Sequence, residues 1–362
     1  MSIDDRYVPI LTGRPGEVEA LGSSGTLGVV PIFDLPPLRR ARAPTKAEVA
    51  SGKPPPTPET LSDATRRFVR ALEKHWEPGQ RFYLDLQRLR VRSNERVDPV
   101  DFVFDAIRSR GFRPSPCLRM SATATAIGAA ARAAESADGL GLRLDGRAPV
   151  SDVLNWVREV LRKTRVVPAH TALVVDFGHV AADESRVPAL AERLVRALRA
   201  EAPWWLIAMA TTSAPQISAI LPTDEPLRLT RREPYYWRRV VAALGRDAPA
   251  FSDYGITGPT SDSDEPAWGA SPNLRYTLDD SWLVWKGVTR KRRLPGEDAK
   301  PDVQFNEFCR RLISVGSFAG PQTSWGDQMI ARYAEDHAFG GSPSKWIAIA
   351  TSHHLSVVTR SL

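Results

Sequence analysis

Five apolar, strand-like runs in this 362-residue sequence each end in an aspartate. These are the residues most suited to chemistry: Asp34, Asp85, Asp145, Asp176 and Asp253. Strand side chains alternate between faces, so in neighbouring parallel strands the five carboxylates would meet at one end of the sheet. There Asp34, Asp85 and Asp176 could hold Mg²⁺, while Asp85, Asp145 and Asp176 could act in catalysis. The alternative is that each aspartate starts a loop and caps a helix.

Two arginines accompany these aspartates. Arg143 lies two residues before Asp145, so it shares the inward face of that strand, and Arg119 ends the preceding strand. Inward guanidinium groups either pair with the aspartates or bind an oxyanion of a ligand. The sequence leaves both interpretations open.

Histidines supply the candidate proton-transfer groups. His179 lies three residues beyond Asp176, where it could act as a general acid or base, or simply belong to a surface loop. His353 and His354 fall in a predicted terminal strand, where neighbouring side chains point to opposite faces, so at most one would reach the site. Tyr254 completes the predicted ligand-binding residues. No Gly-x-Ser-x-Gly nucleophile motif occurs.

The elements that must position these residues alternate regularly. Eight strand-like runs alternate with helical patterns between residues 7 and 256. This predicts an α/β fold, a (β/α)8 TIM-like barrel whose site lies at the carboxyl ends of its strands. An open doubly wound sheet is the alternative. The barrel is favoured because eight units fit about 250 residues and no Gly-x-Gly-x-x-Gly follows the first strand.

The predicted organisation has two parts. Residues 1–258 form the barrel and include a long basic, Pro-rich stretch, 35–58, which is either a solvated loop or a lid over the site. Residues 259–362 form an α+β appendage packed on the barrel. It contains a hairpin within 275–288, helices at 303–314 and 324–336, and a terminal strand within 346–358.

Composition indicates the kind of partner and the cellular location to expect. The net charge of +7 favours an anionic partner, and the two cysteines give neither a disulfide framework nor metal-ligand spacing. No apolar stretch approaches the length of a membrane span, so a soluble, cytoplasmic protein is expected. The densest basic run lies near Trp282 and Trp285 and could follow a nucleic-acid backbone, or be a solvated hairpin end. It comprises Lys286, Arg290, Lys291, Arg292 and Arg293.

Several segments carry a resemblance to a known family. They are Tyr7-Val8-Pro9-Ile10-Leu11, Gly16-Glu17 with Ala20-Leu21, Pro31-Ile32-Phe33-Asp34-Leu35-Pro36-Pro37, Asp253-Tyr254-Gly255, Arg275-Tyr276, Trp325-Gly326-Asp327, and Trp346 with His353-His354. Together they resemble the phage beta protein family, whose members also occur in bacterial genomes. The sequence departs at Asp34, where the family more often has Glu, which keeps the carboxylate but shortens its reach. The resemblance implies a setting in conflict between phages, mobile elements and hosts, and no particular activity.

Two functions from different classes follow. The first is a barrel hydrolase or lyase acting on a phosphorylated or nucleotide-like anionic small molecule, either with Mg²⁺ or without a metal. The second is a non-catalytic interaction module, with a protein partner in a phage-defence or toxin–antitoxin assembly. Carboxylates consumed by arginines would count against the enzyme.

Overall fold

The protein is represented by a computed structural model. It describes residues 7–24, 28–41, 43–44, 46–89, 98–181, 184–214, 217–223, 225–259, 271–288, 301–335 and 341–362.

The strands form two sheets. The larger sheet has eight parallel strands in the order of the chain: β1 (Ile10–Leu11), β2 (Ile32–Asp34), β3 (Phe82–Asp85), β4 (Pro114–Arg119), β5 (Leu140–Asp145), β6 (Thr171–His179), β7 (Leu206–Thr212) and β9 (Ala250–Ser252). The smaller sheet is antiparallel, in the order β10 (Asn273–Thr277), β11 (Ser281–Lys286) and β8 (Leu227–Thr230). The short strand β8 is not one of the eight strands predicted for the barrel.

The larger sheet curls into a nearly closed barrel. Its first and last strands meet through backbone hydrogen bonds from Val8 to Phe251 (2.9 Å) and from Ile10 to Asp253 (2.8 Å). Tyr7 bridges to Val29 on one side and to Phe251 on the other. The predicted α/β barrel is confirmed at this level, because an open sheet would leave these two edges apart.

Helices surround the barrel and extend beyond it. Their bounds are α1 (Pro15–Ser23), α2 (Lys46–Ala50), α3 (Leu61–His75), α4 (Pro99–Arg108), α5 (Ala124–Ala134), α6 (Val150–Thr164), α7 (Val187–Glu201), α8 (Glu233–Leu244), α9 (Pro301–Ser314), α10 (Trp325–Glu335) and α11 (Pro343–Ser361). Side-chain caps start several of them: Thr60 accepts from Asp63, Asp98 from Val100 and Thr123 from Ala126. None of the described helices combines the length and apolar character that a membrane crossing requires.

The strand β6 shows how the barrel divides its core. Val174 packs among residues inside the barrel, whereas Leu173 and Val175 pack in the layer between the sheet and the helices. All three are buried, as the predicted parallel strand requires. Asp176 therefore lies on the inner face with Val174.

The predicted terminal strand within 346–358 is wrong: these residues lie in the helix α11. Ser342 caps this helix by accepting from Lys345, and Pro343 takes the first turn, where its missing N–H costs nothing. Trp346, Ile349 and His353 are buried at helical spacing. His353 and His354 point in different directions on the helix, and both are buried because α11 is covered on several sides.

The helix α11 packs closely on the barrel's first helix. A Cβ on Gly16 of α1 would lie 2.2 Å from the carbonyl oxygen of Ser344, and one on Gly326 of α10 would lie 2.1 Å from that of Ile349. Only glycine allows these backbones to approach so closely. The predicted division at residue 258 stays a prediction, although β8 joins β11 across it.

Candidate functional site

Parallel pairing brings the charged strand ends together. Asp34 is paired in register with Asp85, and Arg119 with Arg143. The carboxyl ends of barrel strands converge on one mouth, where barrel enzymes place their sites. Here that mouth holds an ion-pair network.

Arg143 is the centre of the network. Its side chain is 4% exposed, and its Nη1 donates to Asp34 Oδ2 (3.1 Å) and Asp85 Oδ2 (2.9 Å). Its Nη2 donates to Asp176 Oδ2 (2.7 Å) and the Tyr254 hydroxyl (2.8 Å), and its Nε to Asp176 Oδ2 (3.1 Å). All three guanidinium nitrogens are therefore engaged.

Arg119 lies outside Arg143 and is only partly engaged. Its Nε donates to Asp85 Oδ2 (2.7 Å), and its Nη2 lies 2.5 Å from Asp34 Oδ1, close enough for an ion pair but without hydrogen-bond geometry. Its Nη1 makes no hydrogen bond or ion pair with the described residues. At 28% side-chain exposure, Arg119 is the accessible cation of the network.

The network shifts the pKa values of Asp34 and Asp176 in opposite directions. Burial and the charge of Asp85 raise the pKa of Asp34, against the opposing charges of Arg143, Arg119 and Arg88. Burial also acts to raise the pKa of Asp176, but the Arg143 charge and hydrogen bonds from Tyr254, Arg143 and the Gly178 amide outweigh it, so this pKa is lowered.

Tyr254 is not a ready base. Its hydroxyl lies 2.7 Å from both carboxylate oxygens of Asp176 and accepts from Arg143. Burial and the Asp176 charge raise the pKa of Tyr254 well above its ordinary value. The hydroxyl therefore stays protonated and fixes Asp176 in place.

The carboxylates that the sequence assigned to Mg²⁺ surround a guanidinium instead. Asp34, Asp85 and Asp176 each bind Arg143, which supplies the cation between them. Within the described ranges, no three His, Cys, Asp or Glu side chains are arranged to hold a metal ion. As arranged, this carboxylate set fits Arg143 and does not fit Mg²⁺.

Four of the aspartates share a second feature, a hydrogen bond from the backbone two residues further on. In Asp85, Asp145, Asp176 and Asp253, Oδ1 accepts from the backbone N–H two residues further on, at 2.9–3.1 Å. This is an Asx turn, which starts the loop after the strand at Asp85, Asp145 and Asp253 and lies within β6, at the break in its pairing register, at Asp176. The alternative interpretation, that the aspartates start loops, therefore also applies. Any further role of each aspartate depends on the partners of its other carboxylate oxygen.

Asp145 and His179 do not join the network. Asp145 is exposed, and its Oδ2 makes no hydrogen bond or ion pair with the described residues. His179 is exposed at the end of β6, beyond a break in the pairing register after Asp176. Of the five aspartates predicted to meet at one end of the sheet, Asp34, Asp85 and Asp176 bind Arg143, whereas Asp145 and Asp253 do not. The catalytic roles of Asp85, Asp145, Asp176 and His179 stay predictions.

Asp253 belongs to a separate buried cluster. Its Oδ2 lies 2.9 Å from His354 Nε2, and its Oδ1 accepts from the Tyr7 hydroxyl (2.7 Å). Burial acts to raise the pKa of Asp253, but His354 and the Tyr7 hydrogen bond outweigh it and lower this pKa. The terminal helix is thereby bonded to the carboxyl end of β9.

His353 lies one residue earlier and makes a different pair. Its Nδ1 lies 2.8 Å from Asp327 Oδ2, and its Nε2 donates to the Thr277 carbonyl (2.8 Å). Its ring stacks on Tyr276 at 3.7 Å between centroids. Both histidines are fully buried, so each ties α11 to neighbouring elements; their ligand-binding role stays a prediction.

Sequence reasoning missed two residues beside the network. Arg88 is buried, and its charge acts on Asp34. Gln87 Oε1 accepts from the Arg119 backbone N–H (3.1 Å), while its Nε2 is buried without a partner in the described chain. Their position directly after Asp85, at a strand end, was the available signal.

A cavity of about 200 Å³ lies behind Gln87, between β3 and β4 and the helices α4 and α5. Its walls are mainly apolar, including Leu84, Leu86 and Phe104, with Gln87 and Thr123 among the polar residues. Thr123 caps α5, so the cavity also meets the amino-terminal end of that helix.

The basic run proposed for nucleic acid can be followed only in part. Lys286 Nζ donates to the backbone carbonyls of Ile217 (2.7 Å) and Ile220, so it closes a loop. Residues Arg290, Lys291, Arg292 and Arg293 lie outside the described residues.

The geometry defines a parallel α/β barrel with an arginine-centred ion-pair network at its mouth. The chain belongs to the Beta protein family, whose model matches residues 7–360. Protein beta of Enterobacteria phage P4 is 24% identical over 194 residues, which are 52% of this chain and 50% of the phage protein. The match thus spans about half the length of that relative.

One solved structure is similar at low level. The enoyl reductase domain of MlnA, from the macrolactin biosynthesis cluster of Bacillus amyloliquefaciens, aligns with 97% of this chain and 86% of its own, with 12% identity and a TM-score of 0.35. A likeness at that score carries no argument about function.

Proposed function

We propose that the barrel mouth binds a small anionic molecule, phosphorylated or nucleotide-like, through Arg119. The observation that carries this proposal is a partly exposed guanidinium whose Nη1 has no partner among the described residues, while its other two nitrogens lie against Asp85 and Asp34. A guanidinium fixed on one edge presents its other edge in a defined direction, which suits a phosphate or carboxylate.

The surroundings of Arg119 support an anion. The chain passes from Arg119 into α5, and the first N–H groups of a helix lack partners within it and attract negative charge. Gln87 adds the buried Nε2 donor and lines the cavity behind it. The anionic group would bind at Arg119, and an attached group would extend toward Gln87.

The test is a binding titration with pyrophosphate and nucleoside mono- and diphosphates. We expect Arg119→Gln to weaken binding about 10- to 100-fold, since a charge-assisted hydrogen bond contributes about 1.5–3 kcal/mol. Arg162→Gln, at an exposed site on α6, makes the same charge change and should leave affinity unchanged. Equal affinity in both variants, with matching melting temperatures, would overturn the proposal.

Catalysis at this mouth is a second candidate. One observation favours it: Asp145 and His179 are both exposed, at the ends of the adjacent strands β5 and β6. A carboxylate and an imidazole there could transfer protons to a ligand at the mouth, as in a hydrolase or lyase. Asp145→Asn and His179→Asn should then abolish turnover of a phosphorylated substrate while retaining its binding.

The non-catalytic alternative uses the same mouth as a recognition pocket in a phage-defence or toxin–antitoxin assembly. The phage relative and the consumption of Asp85 and Asp176 by Arg143 support it. In that case Arg119→Gln should weaken capture of the protein partner, and the Asp145 and His179 variants should behave as wild type.

A further inference from the structure

We propose that the outer face formed by α7 and α8 binds the sugar–phosphate backbone of nucleic acid. This surface is separate from the barrel mouth and from the basic run near Trp285. It is called here the arginine face and comprises Arg193, Arg196, Tyr235, Arg238, Arg239 and Arg246.

The arginine face is exposed and continuous. Tyr235, Arg238 and Arg239 lie at helical spacing on the outer side of α8, and Arg246 follows in the next turn. Arg193 and Arg196 are exposed on α7, where Arg196 Nη2 donates to the Ala243 carbonyl of α8 (3.1 Å). That hydrogen bond joins the two helices into one surface.

Most of these arginines lack acidic partners. Arg196 pairs with Glu192 (3.0 Å), whereas Arg193, Arg238, Arg239 and Arg246 form no ion pair with the described residues. Of the other acids in these helices, Glu201 binds Arg158 of α6 and Glu233 is buried. Asp247, exposed beside Arg246, is a further acid of this surface, so among the described residues five arginines stand against Glu192 and Asp247 and the local charge is net positive.

The neighbouring helix α6 shows the contrast. Its Arg158, Arg162 and Lys163 each pair with a glutamate, at 2.7–3.0 Å. The exposed basic residues of α6 are thus neutralised, whereas most arginines of the arginine face are not. Unpaired charge of one sign on a surface attracts a partner of the opposite sign.

The composition of the face favours nucleic acid over an acidic protein. The two helices contain five arginines and no lysine, and guanidinium groups can bind phosphate in a bidentate manner, as they can carboxylate, so the aromatic residue of the face makes the distinction. Tyr235 is 57% exposed, with Arg239 5.8 Å from its ring centre. An exposed aromatic among arginines offers a base a stacking surface.

Dimensions agree with several phosphate contacts. At about 1.5 Å per residue, the stretch from Tyr235 to Leu244 is about 14 Å long. One strand of duplex DNA presents a phosphate about every 3.4 Å, so about four phosphates lie along that distance.

The experiment is fluorescence anisotropy with a labelled 20-nucleotide single strand and the matching duplex, from 50 to 200 mM salt. We expect binding that weakens with salt, and a slope of log affinity against log salt that is lower in magnitude by about 2 in R238Q/R239Q. The double variant R158Q/R162Q has the same net charge and alters the adjacent helix α6, so its slope should match wild type.

Three results would overturn the proposal. They are absence of binding at 50 mM salt, equal slopes in the two double variants, and polyglutamate competing as well as DNA at equal charge. Melting temperatures equal to wild type would exclude misfolding, because all four substituted arginines are exposed.

Discussion

Arg143 makes two buried carboxylates and one half-buried carboxylate dependent on one guanidinium. Asp34, Asp85 and Asp176 come from three different strands, so this side chain joins strands that are distant in sequence. Removing one member of a buried network leaves its partners charged and unsolvated, which costs more than the network's net contribution.

We therefore expect Arg143→Met to lower the free energy of unfolding by about 3–5 kcal/mol, measured by urea denaturation at pH 7. Arg132→Met is the matched control, because Arg132 also pairs with two aspartates but its side chain is 55% exposed. The control should show no measurable change. Equal effects of the two substitutions would mean that the network contributes nothing.

Asp34 and Asp176 should differ in their pH dependence. The lowered pKa of Asp176 means that its contribution to stability is complete above its unfolded pKa, about 3.9, and is lost as pH falls through the folded value. The raised pKa of Asp34 has the opposite sign, with its contribution lost as pH rises through the folded value.

Urea denaturation of Asp176→Asn and Asp34→Asn between pH 3 and pH 7 checks this. Relative to wild type, the Asp176 variant should become less stable as pH rises, and the Asp34 variant more stable. Parallel pH profiles for the two variants would contradict the opposite shifts.

The sequence revealed part of this arrangement. Two-residue spacing from Asp145 placed Arg143 on the inner face, because strand alternation is rigid. The same spacing predicted that Asp145 points inward too. The strand ends at Asp145, however, so the loop that follows sets the direction of this side chain. The backbone N–H of Arg147 takes one oxygen, and no arginine reaches the other among the described residues.

Among the elements, helix contacts depend on two glycines. Adding a methyl group to Gly16 would force it against the Ser344 carbonyl, at a distance that real Cβ atoms do not adopt. The backbones of α1 and α11 would have to separate.

We expect Gly16→Ala to lower the free energy of unfolding by about 1–3 kcal/mol, as overpacking typically does. Gly128→Ala on α5 is the control, since nothing lies within 4 Å of its added methyl group. There the better helix propensity of alanine should raise stability by up to about 1 kcal/mol. Thermal and urea unfolding should show a loss of stability for Gly16→Ala and a gain for Gly128→Ala. An increase in stability for Gly16→Ala would contradict the close contact between α1 and α11.

Element type was harder to predict at the carboxyl-terminal end than in the barrel. Barrel strands are short apolar runs between helical patterns, so their period is clear. In α11 nearly every position is apolar, small or histidine, because the helix is buried on several sides. The sequence therefore lacks the difference between an apolar and a polar face by which a helix is recognised. The strand β8 was missed because its four residues are largely exposed and depend on pairing with β11.

On the scale of the whole molecule, α11 should share the stability of the barrel. Its histidines bond to Asp253 after β9 and to Asp327 of α10, and all of these groups are buried. We expect hydrogen exchange in the middle of α11 to be as slow as in β6, because both should open only on global unfolding. Faster exchange throughout α11, with β6 still protected, would show that the helix opens independently.

The closure of the barrel places a constraint on its synthesis. Residues 7–10 complete the seam only when they bond to residues 251–253, and α1, which also packs on α3, gains its close contact with α11 only when the last helix is made. Contacts of such long sequence separation slow folding, because the chain must lose the entropy of a large loop before any contact compensates for it. On the ribosome, the first strand must wait through some 240 residues of translation with its edge unpaired. During that interval the nascent chain exposes an apolar strand edge, the kind of surface that chaperones protect from aggregation.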